Sequence, residues 1–218
     1  MLTVIAIIGI LVAITIPVLG YARNTVKRAH SISNLRGIAA GALLYANDNK
    51  GCFPYRDGNA ESGGYSGPEW AELRWSEAIE PYLPSRESKW ATPSRKTGTW
   101  SRSPTLINAL VPDGLHHDLG DYGGNQHLFI NGVNGASRLS VDSLSHPSKT
   151  VLALGVKNDK GAATWYLHHE YVTGGAHFPR PDDHGTGLYF CAFADGHAKS
   201  IAVDKFTTIE QRKALLIP

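Results

Sequence analysis

The sequence predicts an α+β fold in which one long N-terminal helix packs on an antiparallel β-sheet within a loop-rich domain. Residues 1–22 carry no charge and are almost entirely apolar. Residues 23–50 continue with apolar side chains at three- and four-residue spacing, as an amphipathic helix requires. Residues 51–218 alternate short runs of β-forming residues with turn residues, in a chain that holds 23 glycines and 12 prolines. We therefore divide the chain into these three parts.

Residues 1–22 form a segment long enough to cross a membrane. As a helix the segment would span about 33 Å, and the hydrocarbon core of a bilayer is about 30 Å thick. A secretory signal peptide would begin with a basic stretch and end in a small-residue cleavage site, whereas here Tyr21-Ala22-Arg23 follows the run. A buried core helix is the other alternative, and an uncharged run of this length at a terminus disfavours it. We expect a transmembrane half-helix with a kink or local melting between Gly9 and Pro17.

The amphipathic half of the helix follows in residues 23–50. Its apolar stripe comprises Val26, Ala29, Ile32, Leu35, Ile38, Ala39, Ala42, Leu43 and Ala46. We expect the helix to end at Asn49-Lys50-Gly51, because these residue types are common at helix C-termini. This stripe should lie on the globular domain.

The remaining residues predict one short helix and five strands. The helix is expected over Trp70–Tyr82, with Pro84 as a stop signal. Asp195-Gly196 predicts a two-residue hairpin turn between the last two strands. The strands are expected at Leu128–Asn131, Thr150–Gly155, Thr164–Leu167, Leu188–Ala194 and His197–Val203.

The N-terminal segment VIAIIGILVAITIPVL, with its continuation to LLYANDNKGCFP, resembles the helix of type IV pilins and type II secretion pseudopilins. Gly9 and Pro17 fit the pattern of that family. The resemblance implies a single-pass protein of the bacterial inner membrane, with its globular domain in the periplasm or in an extracellular filament. It also implies the partners: membrane lipid, copies of the chain, other pilin-like subunits and inner-membrane assembly machinery. The small residues Ala6, Gly9 and Ala13, together with Pro17, are the expected helix-assembly positions.

Two features depart from the family pattern. The family has a leader that ends in glycine, a methylated phenylalanine and an early glutamate, and the sequence as given begins at Met1 without them. Arg23, Lys27 and Arg28 follow the apolar run, so the positive-inside rule alone would keep the domain in the cytoplasm. We give the resemblance more weight than this charge count.

Further segments resemble a pseudopilin subgroup with a C-terminal His-x9-Asp-Gly signature. Asp121 to Asn125 resembles its Tyr-Gly-x-Asn element, and His146 to Leu152 its Pro-Ser-x-Thr-Val element. Ten residues rather than nine separate His184 from Asp195-Gly196, a difference that a β-bulge could absorb. The signature residues of this chain are Tyr122, Asn125, His184, Asp195 and Gly196.

These observations favour a structural subunit over other classes of protein. The net charge is +2 and no basic run is present, so nucleic acid is not an expected partner. An enzyme is not expected either, because the sequence has no Gly-x-Ser-x-Gly elbow. The alternative is a membrane-anchored periplasmic binding module that does not polymerise. A glycan-binding surface on such a module could use the five tryptophans, Trp70, Trp75, Trp90, Trp100 and Trp165.

Metal sites and a disulfide are weaker expectations. Seven of the ten histidines fall in two acid-containing groups without a known zinc spacing. These groups are His116, His117, Asp118, Asp121 and His127, and His168, His169, Glu170, His177 and His184. No cofactor is expected apart from possible calcium, which some relatives bind in a C-terminal loop and for which Asp182, Asp183 and Asp195 could supply oxygens. Export would allow a Cys52–Cys191 disulfide, and two free thiols are the alternative.

Overall fold

Helix α1 runs from Leu2 to Asp48 in the computed structural model. The structure describes residues 2–55, 75–84, 103–111, 120–129, 137–157, 166–167, 178–179 and 187–218. The remaining elements are α2 (Trp75–Ile79), β1 (Tyr122–Asn125), β2 (Val151–Lys157), β3 (Tyr166–Leu167), β4 (Phe178–Pro179), β5 (Leu188–Phe193), β6 (Ala198–Ala202) and α3 (Ile209–Leu216). Short 3-10 turns lie at Glu80–Tyr82, Pro104–Leu106, Val141–Ser143 and Val203–Phe206.

The predicted extent of α1 is confirmed. Of the kink or local melting predicted between Gly9 and Pro17, the melting is wrong, and the kink stays a prediction. The helix is continuous through Pro17. A proline lacks one backbone N–H, so only the bond to the Ala13 carbonyl is lost while the other helical bonds can form. At the other end Lys50 and Gly51 adopt φ values of 59° and 72°, and the Gly51 N–H donates to the Ala46 carbonyl over 2.8 Å. This left-handed turn ends the helix as the sequence predicts.

The sheet has the strand order β3-β1-β2-β5-β6, and β4 pairs with β2 at one end. All neighbouring strands are antiparallel except β1 and β3, which are parallel. Strands β2, β5 and β6 lie at the predicted positions, and β3 lies within the predicted Thr164–Leu167. The predicted α+β class is therefore confirmed.

The strand predicted at Leu128–Asn131 is wrong, because its described residues form a turn after β1. The Asn125 carbonyl accepts from the Leu128 and Phe129 N–H groups at 3.0 and 2.8 Å, and this reverses the chain. Leu128 and Phe129 are fully buried. Their apolar character therefore reflects a buried turn, and the strand lies at Tyr122–Asn125. Strand β4 was not predicted.

The hairpin between β5 and β6 is confirmed, but the loop enclosed by the hydrogen-bonded pair Phe193 and His197 has three residues rather than two. The Gly196 N–H donates to the Phe193 carbonyl, and the Phe193 N–H donates to the His197 carbonyl. Gly196 has a φ of 96°, which suits the left-handed residue that closes a three-residue loop. Ala194 is the extra loop residue, and it is buried.

The sheet separates two hydrophobic layers. On one face, Leu152, Phe190 and Ala192 pack with the buried stripe of α1. On the other, Val151, Leu154, Tyr189, Cys191 and Phe193 pack with Phe206 and Leu216 beneath α3. Successive strand residues point to opposite faces, so the near-continuous apolar run of β5 supplies both layers.

The predicted helix at Trp70–Tyr82 is helical throughout its described part. It runs over Trp75–Ile79 and tightens to a 3-10 turn at Glu80–Tyr82, with Pro81 inside that turn. Residues 70–74 lie outside the described part. Helix α3 was not predicted, and it begins with a capping box in which Thr208 and Gln211 satisfy each other's backbone N–H groups.

Candidate assembly surface

The first half of α1 carries a continuous apolar surface that the globular domain does not cover. The helix contains an 18-residue window of mean hydropathy 2.6, and none of that window is buried. Ile5 is 67% exposed and Tyr21 is 74% exposed, and every residue from Thr3 to Ala22 is classed as exposed. Isolated exposed apolar residues are ordinary, but an uninterrupted surface of this extent marks a site that another apolar phase covers. Its length and composition are compatible with a membrane anchor.

The predicted helix-assembly residues lie on this uncovered half. Ala6, Gly9, Ala13 and Pro17 follow one another at three- and four-residue spacing, so they share one side of the helix. A Cβ added at Gly9 would meet no atom within 4 Å. Within the described residues nothing occupies this side, which leaves room for the backbone of another helix.

The second half of α1 is built into the core from Ser31 onwards. The prediction that Val26 and Ala29 lie on the domain is wrong, because both are exposed. Leu35, Ile38, Ala39 and Ala42 are fully buried. Two glycines allow neighbouring segments to approach the helix: a Cβ at Gly37 would lie 2.8 Å from Thr105 Cγ2, and one at Gly41 would lie 2.8 Å from Leu83 Cδ2. The sequence analysis did not identify these contacts, although small residues at a four-residue spacing on a helix were a visible signal.

Polar side chains also fix this half of the helix to the domain. Asn34 Nδ2 donates to the Ile107 carbonyl at 2.8 Å. Ser31 Oγ lies 3.2 Å from the Tyr122 hydroxyl. Burial raises the pKa of Tyr122, although its hydrogen bonds with Ser31 and Asn34 oppose that rise. The two halves of one continuous helix thus differ completely in what covers them.

The signature residues Tyr122 and Asn125 have structural roles at the centre of the sheet. Tyr122 points to the α1 layer. Asn125 Nδ2 donates to the carbonyls of Val151 and Leu216, over 2.7 and 2.8 Å. Between them, Gly124 admits a stacked Trp75–Phe129 pair, since a Cβ there would lie 2.6 Å from Phe129 Cδ2. This segment therefore joins β1 to both layers.

The signature residues Asp195 and Gly196 form the β5–β6 turn. The Asp195 carboxylate accepts from the His197 backbone N–H at 3.2 Å and from its ring Nδ1. Partial burial raises the pKa of Asp195, but these hydrogen bonds outweigh burial and hold the pKa below its usual value. A Cβ at Gly196 would approach Leu43 Cδ1 to 3.3 Å, so the turn rests against α1. His184 lies outside the described residues.

The structure brings no metal-ligand set together in its described part. There, no group of three or more His, Cys, Asp or Glu side chains is placed to hold an ion. Asp121 is buried, and its Oδ2 accepts from the Asn108 N–H at 2.8 Å. The calcium candidates Asp182 and Asp183 lie outside the described residues, as do all the histidines of the two groups except His127.

Cys52 and Cys191 are both free thiols, so the proposed disulfide is absent from this structure. Cys52 lies just after α1, where its backbone pairs with Ser140. Cys191 is buried in the layer that packs beneath α3. Burial raises the pKa of the Cys191 thiol, which keeps it protonated.

Trp75 is part of the core rather than of a glycan-binding surface. Its side chain is fully buried and stacks on Phe129, with ring centroids 5.0 Å apart and planes 14° from parallel. The other four tryptophans lie outside the described residues. Trp75 is the one tryptophan whose position the structure describes, and it is not available to an exposed glycan-binding surface.

Comparison of the chain with known protein families, with curated proteins and with solved structures found no match.

Proposed function

We propose that this chain is a structural subunit of a type IV pilus-like or type II secretion filament, and that it assembles through the first half of α1. The observation that carries the proposal is the division of α1. One continuous helix has a half with no buried residue in its apolar window and a half that forms part of the domain core. Such a subunit needs no catalytic site.

The unbroken helix supports assembly as well as anchoring. A helix that serves only as an anchor can be joined to its domain by a flexible linker, because anchoring does not require a fixed orientation of the domain. Here the apolar half continues into the core through residues 23–30 without a break, so the domain and the exposed half are held in one orientation. Small residues on one side of the exposed half allow the close backbone approach that favours helix association in lipid.

The location follows from the same proposal. The apolar half lies in the inner membrane before assembly, and the domain lies in the periplasm or on the filament. The resemblance of the N-terminal segment to pilins supports this orientation against the basic residues Arg23, Lys27 and Arg28. The partners are other copies of the chain, related subunits and the machinery that extracts them from the membrane.

Filament imaging tests the proposal. Cells that make the protein from its natural gene should yield filaments that contain this chain, as detected by a specific antibody. Gly9→Leu should reduce filament number at least several-fold, because the added side chain separates the helices. Val4→Phe is the matched control, since it adds bulk about 140° away around the helix and should leave assembly largely unchanged.

Two results would contradict the proposal. If the Gly9→Leu variant formed filaments in normal number, the proposal that subunits assemble by close packing of the first half of α1 would be wrong. Membrane-bound protein that never enters filaments under any expression condition would instead favour the non-polymerising binding module.

A further inference from the structure

A cavity of about 390 Å³ lies on the α3 side of the sheet, close to the β5–β6 turn. Phe193, Ile201 and Leu215 supply its apolar lining. Phe193 is almost completely buried and stacks on His197, with ring centroids 4.2 Å apart. The cavity falls within the size range of pockets that hold small molecules. It is open to solvent, because Ser148, Lys149, Lys199, Lys205 and Ala214 in its lining are exposed.

Three lysines from three separate segments surround the same cavity. Lys149 precedes β2, Lys199 lies in β6, and Lys205 lies in the 3-10 turn before α3. Lys199 Nζ lies 4.8 Å from the centroid of the Phe193 ring. None of the three forms an ion pair with a described residue, and none of the described residues that line the cavity is acidic. The positive charge here is therefore not neutralised within the described structure.

The other polar groups at the cavity also favour a negatively charged ligand. The Gln211 side-chain oxygen already accepts from the Thr208 N–H and the Thr207 hydroxyl in the α3 cap. Its amide NH2 remains as a donor. Ser148 adds a hydroxyl. The cavity thus combines three ammonium groups and an amide donor with an apolar and aromatic lining.

We infer that this cavity binds a small soluble anion that carries a carboxylate or phosphate on an apolar or aromatic body. Lysine ammonium groups pair with either anion, and the apolar lining takes up the body of the ligand. A headgroup of the surrounding bilayer does not fit the position. Gly196 rests against Leu43, which lies 21 residues beyond Ala22 and so about 30 Å further along the helix. The inference does not depend on filament assembly.

Phenyl phosphate is a suitable probe because it joins a phosphate to an aromatic ring and does not partition into bilayers. The full chain in nanodiscs of zwitterionic lipid is titrated with phenyl phosphate, and binding is followed by saturation-transfer NMR with empty nanodiscs as the blank. We expect saturable binding at least fivefold tighter than that of inorganic phosphate or of phenol. The triple variant Lys149→Gln, Lys199→Gln, Lys205→Gln should bind at least tenfold more weakly.

The matched control is Lys27→Gln, Lys50→Gln, Lys213→Gln, which removes the same charge from lysines that do not line the cavity. It should retain binding within twofold, and thermal unfolding should show that both triple variants remain folded. Equal weakening in the two variants would overturn the inference, because it would indicate non-specific attraction by net charge. No saturable binding to the unmodified chain, or inorganic phosphate binding as tightly as phenyl phosphate, would also overturn it.

Discussion

The side chain of Asn125 connects three segments of the fold. Its amide nitrogen donates to Val151 in β2 and to Leu216 at the end of α3, and its oxygen accepts from the His127 N–H over 3.0 Å. Asn125 is fully buried, so water cannot replace these bonds without opening the layer. The Tyr-Gly-x-Asn element thus has a structural explanation in this chain, where it holds the two layers in register.

Replacing Asn125 by alanine should therefore destabilise the domain by about 2–4 kcal/mol, because two buried carbonyls and one N–H lose their partner. Urea unfolding of the full chain in a mild detergent, followed by tryptophan fluorescence, measures the change. Asn47→Ala is the control: Asn47 is exposed and donates only to its neighbour Asp48, so the expected change is within about 0.5 kcal/mol. Equal unfolding midpoints for the two variants would contradict the assigned role.

At the scale of elements, α1 combines a surface that the domain covers with a surface that no described residue covers. The domain buries the stripe that begins at Ser31, while the residues before Ala22 contribute nothing to its core. The free energy of folding should therefore depend on the second half only.

Two truncations test this division. Removing residues 1–22 should give a domain that is soluble without detergent and unfolds cooperatively on heating. Removing residues 1–40 deletes Leu35, Ile38 and Ala39 from the core and should give a chain without a cooperative transition. An aggregated 1–22 deletion, alongside a full chain that is soluble without detergent, would show that the apolar half is not an anchor.

The elements that the sequence predicted well are those with a strong local signal. Helix α1 has an uncharged run, a periodic stripe and a left-handed stop, and β5–β6 has an apolar run with Asp-Gly at its turn. The apolar pair Leu128–Phe129 was misassigned because side chains in a buried turn are as apolar as those in a strand. Strand β4 has two residues, one of them proline, and gives no periodic signal. Helix α3 was missed although Thr208 and Gln211 stand at capping-box spacing.

At the scale of the whole molecule, which distant residues come close together depends on the fold and could not be predicted from their order in the sequence. Cys52 and Cys191 are the only two cysteines in the sequence, but both are free thiols: Cys52 lies just after α1 and Cys191 is buried beneath α3. Lys149 lies 50 residues before Lys199 in the chain and comes near Lys199 and Lys205 only because β2 pairs with β5 and β5 with β6. The small residues of α1 could be predicted from the sequence to share one side, because residues three and four positions apart lie on the same side of a helix.

The central claim is that copies of this chain meet through that side of α1. The most direct measurement is disulfide cross-linking in native membranes and filaments, with Ala13→Cys in a Cys52→Ser, Cys191→Ala background. Leu11→Cys is the control, because it lies about 160° away around the helix. We predict that oxidation links Ala13→Cys subunits into dimers and leaves Leu11→Cys subunits monomeric. Equal cross-linking at both positions, or none at Ala13→Cys, would contradict the account.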